Sequence, residues 1–323
     1  MSSFKKVDKI KLKLTGQNGF FTTIAIIDTF LVCTDYRSPV ILQLYGLSSN
    51  KLIGQIITRG DQPGQCLSVA NILPLGKGIF WIYDITLSKL IKIDIKKALV
   101  NANYPGEEEI ILIDSAKRLK SPCLINDSVF AATSYTRDDS RFLLFNKKSD
   151  ILEKVGRLPV RQIEWPEENV NNKFNILASI YNANLIKHPN KEILVVAYSK
   201  TDRLEFYNQG KLNKIIRGPD YFEPLVSFQK QNENSVSVIE TSKTYYSYNS
   251  VCATSLFIYC LYSGQNNYST CSQKLLVYDW NGNPSRIIEF DRPVCYFTIR
   301  ETENETIIYT VEAETGNICL GRM

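Results

Sequence analysis

Six times along the chain a short, nearly continuous apolar run ends in a polar or aromatic residue. The runs are 30–35 (FLVCTD), 78–84 (GIFWIYD), 128–135 (SVFAATSY), 192–199 (EILVVAYS), 255–262 (SLFIYCLY) and 306–312 (TIIYTVE). Runs of this length, rich in Val, Ile, Tyr and Phe, fit strands covered on both faces. A partner run follows each, at 40–45, 90–94, 141–146, 203–207, 274–279 and 317–320, and a third run follows five of the six, at 51–57, 109–114, 151–155, 211–216 and 285–290. A candidate strand also precedes each, at 20–28, 67–73, 122–126, 177–187, 246–254 and 295–300. A four-stranded unit repeating at roughly 45–60 residues has the period of propeller blades. The sixth unit runs out of chain after its third strand, and segment 4–14 (FKKVDKIKLKL) can supply the fourth. Pairing it into the last blade closes the ring, removes the exposed edges of an open array, and turns its alternating lysines to solvent. The expected fold is an all-β six-bladed β-propeller of four-stranded antiparallel blades, closed by the N-terminal strand in the last blade, as one domain over 1–323.

The sharpest local signal is 274–290 (KLLVYDWNGNPSRIIEF), two strands joined at Asn281-Gly282, residues that both accept the positive φ of a tight hairpin turn. The polar stretch 158–173 (LPVRQIEWPEENVNNK) reads as a long loop or short helix between the third and fourth blades, and 230–234 as another loop. Segment 174–186 has helical propensity but is assigned mainly to strand by its place in the repeat.

A net charge of +5 with Lys and Arg spread along the 323 residues gives no basic patch, so no nucleic-acid partner is expected. No apolar run reaches membrane-spanning length. The eight cysteines show no C-x-x-C spacing and sit singly in apolar strands, so most read as buried small hydrophobes. Cys252, Cys260 and Cys271 are close enough in sequence to allow one bond.

Three stretches carry a family resemblance. Thr58–Gln65 (TRGDQPGQ) resembles the R-G-x-x-P-G-E/Q-F turn of TolB-like six-bladed propellers of Bacteroides-type bacteria; 276–284 (LVYDWNGNP) is similar to that family's V-F-D-W-D/N-G-x-P hairpin, and 258–264 (IYCLYSG) to its I-Y-x-L-Y-S-G strand end. Gln65 stands where Glu is commoner and Cys66 where Phe is. With the blade count, the resemblance covers nearly the whole chain. It implies a propeller of mostly unassigned function. Its members usually carry a lipoprotein signal. Ser2-Ser3-Phe4-Lys5-Lys6 fits the residues after a lipidated cysteine, so the expectation is a cell-envelope lipoprotein if the true start lies upstream, and otherwise a cytoplasmic protein.

Chemistry is sparse. The one histidine, His188, precedes Pro189 in an expected turn and reads as a packed or solvated imidazole; no G-x-S-x-G, P-loop or G-x-G-x-x-G accompanies it. Of the tryptophans, Trp81 reads as core, Trp280 as packing between blades, and Trp165, in the irregular stretch, as the one that could touch a ligand. In a meander the loops joining second to third strands share a face with the loops joining blades. That face collects Tyr36, Arg37, Arg59, Asp61, Asp84, Tyr135, Arg137, Asp202 and Tyr262. Arginine with tyrosine around a ring mouth suits a ligand or partner surface, whereas the bland reading is that strand-end aspartates cap turns. The leading expectation is a monomeric, non-enzymatic module binding a protein or small ligand on this face, with no cofactor. The alternative is an enzyme acting on sugars or lactones through channel carboxylates, with Ca²⁺ held by oxygen ligands.

Overall fold

The computed structural model describes residues 4, 6–101, 103–113, 119–134, 138–159, 165, 171–232, 235–266 and 271–323. The first blade is Phe21–Ile27, Phe30–Asp35, Val40–Gly46 and Leu52–Thr58, and the second is Val69–Gly76, Ile79–Asp84, Lys89–Asp94 and Glu108–Ile111. The third is Leu119–Asn126, Val129–Ser134, Ser140–Asn146 and Ile151–Arg157, and the fourth is Ala183–Lys187, Ile193–Tyr198, Arg203–Asn208 and Lys211–Arg217. Each is an antiparallel meander in sequence order. The fifth is Tyr246–Ala253, Phe257–Gln265, Ser272–Asp279 and the first half of Pro284–Glu301, whose second half opens the sixth with Thr306–Glu312 and Ile318–Arg322. The innermost strands neighbour one another in a closed cycle, from blade one round to blade six and back.

The apolar runs follow from this arrangement. Successive side chains of a strand point to opposite faces, and both faces of a blade are covered by neighbouring blades. In Ile79–Asp84, Phe80 and Ile82 join the cluster shared with the first blade, while Trp81 and Tyr83 join the cluster shared with the third. All four are at most 1% exposed. Each seam in turn has such a cluster, and full burial of one large side chain there contributes about 2–3 kcal/mol. Outer strands have one wet face, as in Lys211–Arg217, where five consecutive residues are exposed.

Four local expectations are corrected. Segment 4–14 is not one outer strand. Val7–Ile10 runs parallel to Ile287–Phe290 on the fifth blade, and only Lys13–Leu14 pairs as the fourth strand of the sixth, against Leu320 and Cys319. The segment crosses the seam because Ile10 and Leu12 are buried in it, with Leu12 N–H donating to Asp291 Oδ1 at 3.1 Å. A Cβ on Gly321 would meet Ile10 Cγ2 at 2.7 Å, so glycine permits this close approach. Residues 285–290 and 295–300 form one continuous strand that turns between blades.

Helix α2 (Lys173–Ile180) occupies the start of the expected strand 177–187, which begins only at Ala183. Ile176, Leu177 and Ile180 lie on one helical face and fill the seam between the third and fourth blades. Residues 230–232 of the expected loop are strand, in Ser227–Asn232, which pairs with Ser235–Ile239. Helix α1 (Ile95–Val100), which the repeat did not suggest, is capped by Asp94 accepting from the Lys96 and Lys97 amides. Among the cysteines, Cys271 bonds not to Cys252 or Cys260 but to Cys295, tying the third strand of blade five to the entry of blade six. Cys33, Cys66, Cys123, Cys260 and Cys319 are buried, as small hydrophobes would be.

Candidate functional site on the loop face

Loops from second to third strands and the inter-blade connections lie on one face, which also carries helix α2 and the extra hairpin. Asp84 is fully buried there. Its Oδ2 accepts from Leu67 N–H (2.5 Å) and Ser68 N–H (3.2 Å), and its Oδ1 from Thr86 and Leu87 N–H (both 2.9 Å). It ties the second blade to the connection leading into it. Asp35 does the same more loosely in the first blade, accepting from Phe20 and Arg37 N–H and from Gln43. Arg59 donates to the carbonyls of Leu67 and Tyr36 at 2.8 Å, with longer contacts to Ser38 and Asp35, and its guanidinium lies 5.7 Å from the Tyr36 ring. Arg37 stacks on Phe20 at 4.2 Å, Tyr36 is 63% exposed, and Asp61 is exposed and accepts from Gln62. Tyr36, Arg37 and Arg59 thus come together beside the first seam.

Asp202 and Tyr262 meet elsewhere, between the fourth and fifth blades. Asp202 accepts from Asp220 and Tyr221 N–H and from Tyr248 Oη, while Tyr262 Oη donates to Asp220 at 2.6 Å. Burial pushes the Asp202 carboxyl up, against those donors, and burial beside these acids also raises the Tyr262 and Tyr248 hydroxyls. Tyr135 and Arg137 lie outside the described residues.

A residue that sequence reasoning missed stands apart. Third strands carry a cation at their first or second residue in three consecutive blades. Lys89 pairs with Glu109 at 3.2 Å, and Arg203 with Glu205 at 2.6 Å. Arg141 is 2% exposed and pairs with no carboxylate among the described residues. Its Nη1 donates to the Tyr181 carbonyl at 3.0 Å, and its guanidinium lies 4.5 Å from the Tyr198 ring, but Nε and Nη2 have no acceptor among the described residues. It lines a recess with Lys120, Thr133, Leu158, Ala178 and Tyr181, holding about 10 Å³, the space of one water molecule. The only sequence signal was a charge opening an otherwise apolar strand (SRFLLFN).

The motif residues are structural. Gly64 has φ +77 and donates to Glu109 at 2.8 Å; Gln65, where the motif more often has Glu, folds back onto Thr58 and the Gln62 amide. Asp279 caps the Asn281-Gly282 turn on the opposite face. Trp280 donates to the Thr254 carbonyl and packs 4.5 Å from His188, which is 1% exposed, so both rings sit between the fourth and fifth blades. Trp165 packs on Phe228 at 5.5 Å with Lys173 over it. Among the described residues no group of three or more His, Cys, Asp or Glu is placed to hold a metal ion, and no helix is long and apolar enough to cross a membrane.

The whole-chain architecture is shared with solved structures of low identity. A DUF4221-family member from Bacteroides vulgatus matches with TM-score 0.58 at 10% identity, covering 100% of this chain and 97% of that one. The β-propeller domain of Cps50 (Swd1) from Myceliophteria thermophila matches with TM-score 0.54 at 11% identity, covering 97% and 99%. A Bacteroides fragilis protein described as exported matches with TM-score 0.53 at 11% identity, covering 98% and 99%. These likenesses show the fold alone. No curated protein matches the sequence. The model of the TolB-like 6-blade propeller-like family matches residues 8–302, and the chain belongs to that family.

Proposed function

We propose that this propeller is a binding module that takes an anionic group, a carboxylate of a ligand or partner, at the loop-face recess between its third and fourth blades. One observation carries the reading: Arg141 is buried with two guanidinium nitrogens unpartnered among the described residues. A buried cation with unmet donors costs several kcal/mol, and an anion that meets them recovers much of it. Lys120 adds positive charge, while the Thr133 hydroxyl on the wall is already donated to the Lys120 carbonyl at 3.0 Å. The recess admits only the tip of an anion, so the rest of the bound molecule lies over the mouth. This shifts the binding role from Arg59, whose donors are occupied by backbone carbonyls, to Arg141.

Thermal unfolding and calorimetry with acetate, succinate and phosphate, at constant ionic strength, test the reading. Wild-type protein is expected to be stabilised by carboxylates, by about 2.7 kcal/mol at a hundred times Kd, and Arg141→Met is expected to lose that response while remaining folded. An equal response of the two proteins, or none in either, overturns the reading.

A further inference from the structure

A second, larger cleft lies on the outer rim, where the first blade meets the insertion that follows helix α1. Its walls are Gln55–Thr58 of the outermost strand, Pro63–Gln65 of the next connection, and Asn101 with Asn103–Pro105; it encloses about 210 Å³. No side chain lining it among the described residues is charged. Its side-chain polar groups are instead carboxamides and the hydroxyls of Thr58 and Tyr104. Gln65 is held in place by Thr58 and the Gln62 amide, and the Tyr104 hydroxyl is committed to Glu107 and the Asp94 amide. The side-chain amides of Gln55 and Asn103, both at exposed positions, have no hydrogen-bond partner among the described residues. Pro63, Pro105 and the Tyr104 ring add apolar surface.

The walls are set before any ligand arrives. Gly64 donates to Glu109, and a Cβ at this position would strike Pro105 Cα at 2.7 Å, so the connection and the insertion touch backbone to backbone. Lys97 and Tyr104 both hold Glu107, which braces the insertion. Ile57, 4% exposed, adopts φ +63, a conformation that a β-branched residue rarely takes, and such strain persists only where the surroundings impose it. A preformed cleft binds without the cost of ordering its walls.

We infer that this cleft binds a neutral polyhydroxylated ring, a monosaccharide unit. A side-chain amide offers a donor and an acceptor in one plane, which matches a pair of adjacent hydroxyls, and a ring's C–H face suits the Pro and Tyr surfaces. An uncharged lining disfavours an ion. The volume falls below the roughly 300–1,000 Å³ of drug-sized sites, as suits a single ring. This site is independent of the recess at Arg141.

Saturation-transfer NMR with methyl hexosides and methyl N-acetylhexosaminides tests it, read on wild type, the double variant Gln55→Ala/Asn103→Ala, and Arg141→Met. At least one neutral sugar is expected to bind wild type at millimolar strength. The double variant, which changes exposed side chains only, is expected to weaken it about tenfold or more, with Arg141→Met unaffected. Silence across the panel, binding that the double variant leaves unchanged, or displacement of the sugar by acetate overturns the inference.

Discussion

At the first seam, between the first and second blades, the loop face carries Asp84 with four backbone N–H donors, Arg59 with backbone carbonyls around it, and Lys89 with Glu109. At the third seam the same face carries Arg141, equally buried, with only one nitrogen engaged. Lys89 and Arg141 are both cations near the start of a third strand. The difference is satisfaction. A buried charge whose partners are all internal holds the fold together, whereas under the proposed reading the unmet donors of Arg141 are what a bound carboxylate would engage.

Asp84→Ala gives the largest expected effect. It leaves buried amides without acceptors, at about 1–3 kcal/mol each, so a loss of about 4 kcal/mol in urea unfolding is expected. A loss below about 1 kcal/mol breaks the contrast between the seams. Arg59→Ala is expected to cost about 2 kcal/mol without altering carboxylate binding; weakened binding places Arg59 back among the ligand contacts.

A third engaged charge, Glu312, sharpens the contrast through pH. A hydrogen bond from Thr315, and then one from Arg292, hold its carboxyl below the usual value despite partial burial. Its contribution is therefore complete above the unfolded carboxylate pKa and lost as pH falls through the lower folded value. Glu312→Gln is expected to flatten the stability profile between about pH 5 and pH 3; an unchanged acid limb contradicts it. The smallest expected stability change is that of Arg141→Met without ligand. Removing a poorly partnered buried cation is expected to leave stability within about 1 kcal/mol of wild type or raise it. A loss of about 3 kcal/mol or more makes Arg141 a structural residue like Asp84.

The limits of sequence reading are visible in particular residues. The blades were legible because Phe80, Trp81, Ile82 and Tyr83 must each face a neighbouring blade, and two-sided burial writes itself as an unbroken apolar run. Helix α2 was not, because Ile176, Leu177 and Ile180 suit either structure and only the seam they fill selects the helix. The Cys271–Cys295 bond joins neighbouring blades, a proximity no local spacing expresses. The candidate residues were chosen by type and loop position. That brought Tyr36, Arg37 and Arg59 to one seam and Asp202 and Tyr262 to another, but did not reveal that Asp84, Asp202 and Arg59 are occupied.

The amino-acid sequence by itself determined the six-fold repeat, the all-β class, the N-terminal closure and the turn at Asn281-Gly282, because these rest on periodicity and on local backbone preference. Only the tertiary structure decided which strand-end charges have partners. Hydrogen-bond satisfaction is a property of three-dimensional neighbours: Leu67 reaches Asp84 and Tyr181 reaches Arg141 across 17 and 40 residues.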